Sequence, residues 1–453
     1  MNRNNFLKKV LFTLFFISNV AFAGAYSLKN AVNSALLNNE GLQIEKKKLE
    51  IAILEKPKAA TEFLPNINVG LNKSFYNPDT PINGQSSFNK ESFELSIQQD
   101  IFTGGSTIAR IAAADAKINS AYQAYNKTLN ETILKTIQYY QSVLMYRELI
   151  KVQQTNVDTA QKSVEKATIT VKTGAETKTS LFLAKANLAS MKSNLEEYSV
   201  GKIQTESNFQ YLVGEEAPKI MEQIDITAYT KIKDFDEFTT LVNTQNPDLI
   251  KAKSDFKASK QGINIAAAAL LPHVNLFANA SRPKYSDNTP GNMKTPGNMK
   301  TGFEGNTYGI GVNIPLLYKG GIQYLEISEA KKRSKATEFS VRDVVCKIRS
   351  DAVSTWNKYI SSDSIYKSAR VSEDNYYQTY TSAQAEFDVG AMTIMNVIDV
   401  QRKYNASTID RLEKEAKYKV SLFEIYNLVG NLPKIIQNSE VLKKVKIENK
   451  KSK

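Results

Sequence analysis

The chain has 453 residues, with 59 Lys and Arg against 46 Asp and Glu and a formal charge of +13. One Cys and one His exclude an internal disulfide framework, a multi-Cys metal site and a His-based zinc site. Only 12 Pro and 20 Gly occur, and residues 82–217 and 316–432 contain no Pro at all. Long uninterrupted helices are therefore the first expectation.

In chain order, the first segment reads as an export signal over residues 1–23. Arg3, Lys8 and Lys9 form a basic start, Val10 to Val20 is mostly apolar, and Ala21-Phe22-Ala23 supplies a small-x-small cleavage pattern before Gly24. Its removal takes the charge from +13 to +10. The apolar run is shorter than the roughly 20 residues of a spanning helix, and no Cys follows it to carry a lipid.

After Gly24 the chain aligns with itself. At an offset of 207, Asn39, Leu42 and Lys46 fall on Asn246, Leu249 and Lys253, and Leu64-Pro65 falls on Leu271-Pro272. At an offset of 216, Gly104-Gly105 falls on Gly320-Gly321, Gly174-Ala175 on Gly390-Ala391, and Leu212-Val213-Gly214 on Leu428-Val429-Gly430. The difference lies between Pro272 and Gly320, where Thr289–Lys294 is repeated as Thr295–Lys300, as expected of an exposed loop. The predicted organisation is a first repeat over 24–219, a linker over 220–237, a second repeat over 238–432 and a basic, disordered tail over 433–453.

Each repeat reads as helix, strand, loop, strand, Gly-Gly, long helix, Gly, helix. In the first, one helix is predicted from Ser27 to Phe63, then an alternating strand over Asn66–Asn72 and a second through Phe93, Leu95 and Ile97. In the second, the strands are Val274–Ser281 and the run Tyr308, Ile310, Val312, Ile314. Between Gly105 and Gly174, Ile118, Tyr122, Tyr125, Leu129, Ile133, Ile137, Tyr140 and Leu144 recur about every 3.7 residues, the stripe of a nearly straight helix with one face inward. Ser106–Thr173 and Ala175–Val213 then form a long hairpin turning at Gly174, and Gly104-Gly105 marks the strand-to-helix junction, as Gly320-Gly321 does in the second repeat.

Runs of 8 to 11 residues suit tilted membrane strands, and Phe75, Tyr76, Phe102, Tyr285, Phe303, Tyr308 and Tyr318 at their ends resemble an interfacial girdle. Four strands cannot close a barrel, and an open edge cannot face lipid, so several copies must share one barrel. Cys346, in the run Val344 to Ile348, reads as a small buried thiol, and His273 reads as structural. No G-x-S-x-G, H-E-x-x-H or phosphate-loop motif is present, so neither an enzyme nor a cofactor is expected. The lysine-rich tail from Lys434 carries no aromatic interleaving, and with an export signal ahead of it nucleic acid is not an expected partner.

These features resemble the TolC-type outer-membrane efflux and secretion ducts over about residues 27–432. The resemblance rests on the two-fold repeat, Leu64-Pro65 and Leu271-Pro272 before strands, the aromatic-x-Gly-Gly runs at Phe102–Gly105 and Tyr318–Gly321, the segment Val389–Ile394 followed by Val397, Ile398 and Asp399, and the two Leu-Val-Gly endings. It implies a mainly α fold with a membrane β part: a homotrimer whose twelve strands form one β-barrel in the outer membrane lipid, continuous with a periplasmic α-barrel of long helical hairpins. The implied function is the passive exit duct of a tripartite efflux pump or type I secretion system. A periplasmic adaptor (membrane fusion) protein would dock at the tip near Gly174, Ala175, Gly390, Ala391 and Thr393, and an inner-membrane transporter would supply energy. The alternative is a periplasmic helical scaffold without a pore.

The family's tip narrows to an entrance held by polar contacts and acidic rings. Here Asp399 matches one ring position, but the other is Asn396, and the gate-linking positions carry Ser180, Phe387 and Met392, while Thr179 keeps its hydroxyl. Three Asp399 side chains in a narrow pore favour cations, and the altered neighbours predict a less tightly latched entrance. Adding the missing polar partners is expected to lower resting conductance in single-channel recordings.

Overall fold

The computed structural model describes residues 25–76, 88–229, 232–287, 305–317 and 320–436. The export signal, the Thr289–Lys300 duplication, Phe303, Tyr318 and the tail beyond 436 lie outside the described residues, as do the side chains of Tyr76 and Tyr285.

The element order repeats itself. The first half holds α1 (Leu28–Asn38), α2 (Glu40–Ala60), a 3-10 turn, β1 (Asn66–Tyr76), β2 (Phe88–Thr103), α3 (Ser106–Lys172) and α4 (Lys178–Val213). The second holds α5 (Phe235–Gln245), α6 (Pro247–Ala268), β3 (His273–Asp287), β4 (Gly305–Asn313), α7 (Ile322–Asp388) and α8 (Ile394–Val429), followed by a short α9 (Leu432–Ile435). Helices α3 and α7 have 67 residues each, and α4 and α8 have 36 each. No described helix is long and apolar enough to cross a membrane.

The predicted single helix from Ser27 to Phe63 is two helices. Asn39 leaves the helix with extended backbone, and its Oδ1 accepts from the Leu42 N–H at 2.8 Å. Its repeat counterpart Asn246 does the same for Leu249 at 3.0 Å, with Pro247 at the first helical position. An Asn that satisfies an otherwise orphaned N–H starts a new helix in each repeat. Helix α4 likewise begins three residues later than Ala175, because Thr177 caps it.

One compact unit contains the described residues up to Leu42, Lys127–Gln245 and those from Arg349 onward. Ala31, Val32, Ala35 and Leu36 of α1 are almost fully buried, as are Phe209, Val213, Phe238, Phe423 and Val429. Trp356 stacks on Phe238 with ring centroids 5.6 Å apart. Asn38 donates from Nδ2 to the Val213 carbonyl at 2.8 Å, covering the end of α4. Arg147 pins the segment after α4: its guanidinium pairs with Glu206 at 2.8 Å and donates to the carbonyls of Pro218 at 2.6 Å and Ala217 at 3.2 Å. Of the eight residues of the predicted α3 stripe, Tyr125, Leu129, Ile133, Ile137, Tyr140 and Leu144 are buried, whereas Tyr122 is 38% exposed.

The other unit contains Gln43–Asn126 and Asn246–Ile348. Its four strands form one antiparallel sheet in the order β1-β2-β3-β4. β1, β2 and β3 extend further than the predicted runs, while β4 ends at Asn313, before Ile314. Register places Ile67, Ile97, Ala278 and Tyr308 in one row across the sheet, with Val69, Leu95, Ala280 and Asn306 in the next and Gln99, Leu276 and Ile310 on the other side, a mainly apolar face. The opposite face carries Asn68, Ser96, Asn279 and Thr307, then Gly70, Glu94, Ser281 and Gly305. One face is thus apolar and the other polar. Leu71 is 78% exposed and Val312 63%, so the apolar face is uncovered within the chain. Tyr308 lies in the middle of that face and not at a strand end, a correction to the girdle, whereas Phe75 and Phe102 do lie near the ends.

At the end of β2, Gly104 adopts φ +65°, and a Cβ there would collide with the Ala268 carbonyl oxygen. Only Gly can make this turn against the end of α6. His273 pairs with Thr103 and Asn313 on the polar face. Cys346 is exposed, contrary to the buried reading, because the inward stripe of α7 falls on Ile348 and not on its neighbour two residues earlier.

Tyr140 is the buried polar anchor of the first unit. Its hydroxyl shares its hydrogen between the carbonyl oxygens of Tyr26 and Glu222, 2.7 Å from each, and burial pushes its pKa far up. Replacing it by Phe removes the donor of the Glu222 carbonyl, while the Tyr26 carbonyl keeps the Glu222 N–H at 3.0 Å, so Tyr140→Phe is expected to lower unfolding free energy by about 1 kcal/mol, read as a lower midpoint in denaturant titration.

Candidate functional site: the hairpin tip

Both hairpins turn by the same device. Helix α3 ends at Gly174 with φ +74°, and the Ala175 N–H returns to the Thr170 carbonyl at 2.9 Å. Helix α7 ends at Gly390 with φ +79°, and Ala391 returns to Glu386 at 2.9 Å. Each is a left-handed helix stop in which the residue after Gly satisfies a carbonyl of the last turn. The following helices are capped by Thr177 and Thr393, whose hydroxyls accept from the N–H groups of Ser180 and Asn396. Gly174, Ala175, Gly390, Ala391 and Thr393 are all exposed.

Behind the turns an apolar knot joins the two hairpins. Ala167, Ala184, Ile394 and Ile398 are buried together, with Val164, Leu181 and Phe387 packed against them. Phe387 therefore acts through its ring, with the Lys166 ammonium 5.6 Å from its centroid. Lys166 also pairs with Asp388 at 2.9 Å. Further along, Arg402 donates from Nε to Asn187 Oδ1 at 3.0 Å, and Gln153 donates to the Met191 carbonyl at 2.8 Å.

Glu176 is the residue that motif reasoning passed over. Its Oε2 accepts from the buried Ser180 hydroxyl at 2.7 Å, and its Oε1 accepts from the Ile394 N–H at 3.3 Å. One carboxylate thus sits on the first turn of its own hairpin's second helix and on the N-terminus of α8, where orphan N–H groups and the helix dipole favour negative charge. The 216-residue offset contained the signal: Glu176 falls on Met392, so a charged position in one repeat corresponds to an apolar one in the other.

The remaining predicted entrance residues separate into two groups. Phe387 packs against the knot, Ser180 is buried and bonded to Glu176, and Met392 is half-buried. Thr179, Asn396 and Asp399 are exposed. Asp399 is not alone, since its Oδ2 lies 2.9 Å from Lys403 Nζ one turn on, and the hydrogen bond and charge of Asp399 raise the Lys403 pKa. Among the described residues no group of His, Cys, Asp and Glu could hold a metal ion.

A sheet with one apolar and one polar face, open at both edges and leading into long helical hairpins, defines a class: the subunit of an outer-membrane channel closed by several copies. The sequence profile described as "Outer membrane efflux protein" matches residues 31–215 and 240–431, and the chain belongs to that family. The outer membrane protein TolC of Escherichia coli (strain K12) is 23% identical over 441 residues, spanning 94% of this chain and 87% of TolC. TolC of Salmonella enteritidis is 24% identical over 406 residues, 87% of this chain and 80% of that protein. Among solved structures, CusC superposes with TM-score 0.78 at 16% identity, over 89% of this chain and 92% of its own. The Campylobacter jejuni CmeC outer membrane channel gives 0.75 at 19% identity, over 93% and 89%. The chain is therefore an outer-membrane efflux channel protein with a large periplasmic part, and not an enzyme.

Glu176→Ala removes the acceptor from Ser180 and from Ile394 N–H at once. Loss of two charge-assisted bonds at a partly buried site is expected to reduce local protection by about 1–3 kcal/mol, seen as faster amide exchange at 177–181 and 394–398 with unchanged exchange in the sheet.

Proposed function

We propose that three copies of this chain close a twelve-stranded barrel and form the exit duct of a tripartite efflux pump or type I secretion system. The observation that carries this reading is the two-faced sheet with unpaired outer edges at β1 and β4. Four strands per copy and three copies give twelve, above the minimum of eight for a membrane barrel. The polar rows of Asn, Ser and Thr then line a wet lumen, and Leu71, Val69, Ile67 and Ile310 meet lipid.

In this reading the Gly174 and Gly390 turns project from the periplasmic end and dock the adaptor protein, while the inner-membrane transporter does the energy-requiring work. The exposed small residues Ala175 and Ala391 leave the turn backbones accessible to a partner helix. The entrance is held by the apolar knot, the Lys166–Asp388 pair and Glu176, contacts confined to one copy. Cargo is chosen by the partners.

The test is whether detergent-extracted protein runs as a trimer and conducts ions across a planar bilayer; a non-conducting monomer soluble without detergent overturns the proposal. At the entrance, Lys403 offsets Asp399. Lys403→Gln is expected to raise cation-over-anion permeability about twofold and Asp399→Asn to lower it by a similar factor, both read as reversal potentials in a salt gradient.

A further inference from the structure

Near its loop end the apolar face of the sheet carries a charged row, with Phe75 one row beyond it. From the helix end toward the loop end, successive rows are Phe102 and Val274, then Gln99 and Leu276, then Ile97 and Ala278, then Leu95 and Ala280, then Leu71, Phe93 and Arg282, then Lys73, Glu91 and Lys284, and finally Phe75 and Asn89. Lys284 lies ten residues beyond Val274 on β3. At about 3.4 Å per residue and a tilt of about 40°, that is about 26 Å along the membrane normal, the height of a lipid-facing apolar band. The row therefore stands at the headgroup level of the leaflet away from the helices.

These side chains line a cleft of about 380 Å³ with Leu71 and Phe93 as its apolar floor. Lys73 Nζ lies 2.8 Å from Glu91 Oε1, and Arg282 Nη2 lies 3.3 Å from Asn306 Oδ1. Lys284 is exposed across β2 from Lys73, so three cations surround one carboxylate. A charged row on the lipid side of a barrel is costly at the midplane and tolerated only near the interface, where anionic headgroups offset it. The combination of surplus positive charge, a bidentate-capable guanidinium and an apolar floor fits a molecule with a phosphate above and acyl chains below.

We propose that Lys73, Arg282 and Lys284 form a binding site for the phosphate of an anionic lipid headgroup in the outer leaflet, where the phosphate competes with Glu91 for Lys73. This rests on the sheet's place in the outer membrane and not on the tip or the partner proteins. The test is native mass spectrometry of the detergent-extracted assembly with a bisphosphorylated glycolipid, its enzymatically dephosphorylated form, and inorganic phosphate. At about fivefold per charge, Lys284→Gln is expected to weaken binding about fivefold and the triple Gln variant about a hundredfold. Glu91→Gln, which removes the competing carboxylate, is expected to tighten it. Bilayer conductance of each variant reports folding, because none of these residues faces the lumen, and Lys284→Gln and Glu91→Gln decide the matter if the triple variant fails to assemble. Equal binding of the dephosphorylated lipid, undiminished binding by Lys284→Gln, or displacement by inorganic phosphate at the lipid's own concentration overturns the proposal.

Discussion

The unpaired backbone edges of β1 and β4 impose the constraint from which the rest of the molecule follows. An N–H or C=O left open in hydrocarbon costs several kcal/mol, so a four-stranded sheet with an exposed apolar face is not a stable end state for a lone chain. The edges must be paired by other copies of the same sheet. Closure also explains why the polar face is tolerated: rows such as Asn68, Ser96, Asn279 and Thr307 are useful only if they enclose water. Gly309 on that face is covered by the ring of Phe277 on the neighbouring strand, which fills the space a side chain would have taken.

The helices inherit their geometry from the same requirement. Each strand pair must hand over to a long helix without disturbing the ladder. The shift in register between Asp100 and Phe102, followed by Gly104 against Ala268, turns a period of two into a period of 3.6 within a few residues. Because the chain is duplicated, each solution appears twice: Asn39 and Asn246 as caps, Thr177 and Thr393 as caps, Gly174 and Gly390 as stops. The first unit is finished by polar anchors with no counterpart in the repeat, chiefly Arg147 on the carbonyls of residues 217–219 and Tyr140 on those of Tyr26 and Glu222.

What could be read before the fold was seen depended on how local the determining physics was. The Gly pairs, the 3.7-residue stripe and the strand alternation are local signals, and they located α3, α7 and all four strands. The break at Asn39 was also written locally, yet its 207-residue match to Asn246 was read as evidence of duplication and not as a pair of helix caps. The apolar neighbours Val344 and Val345 suggest a core around Cys346, while the helix period turns Ile348 inward instead. The Glu91 to Lys284 row was invisible for a different reason: its members lie on three strands, and only the register of β1 on β2 on β3 brings them together.

The tip is where the two copies of the ancestral unit have parted, and the difference has a physical direction. Positions 176 and 392 are equivalent, yet one holds a carboxylate that accepts from Ser180 and from the start of α8, and the other holds a half-buried thioether. A perfectly repeated tip would place like charges on both hairpins and push them apart. With Glu176 opposite Met392, the single carboxylate reaches across to the N–H of Ile394, where the helix dipole welcomes it. The hairpins of one copy are thus joined by contacts that do not depend on its neighbours. If the tip is the entrance, as proposed, its opening would have two separable components: movement of each copy's paired hairpins as one piece, and parting of the hairpins within it.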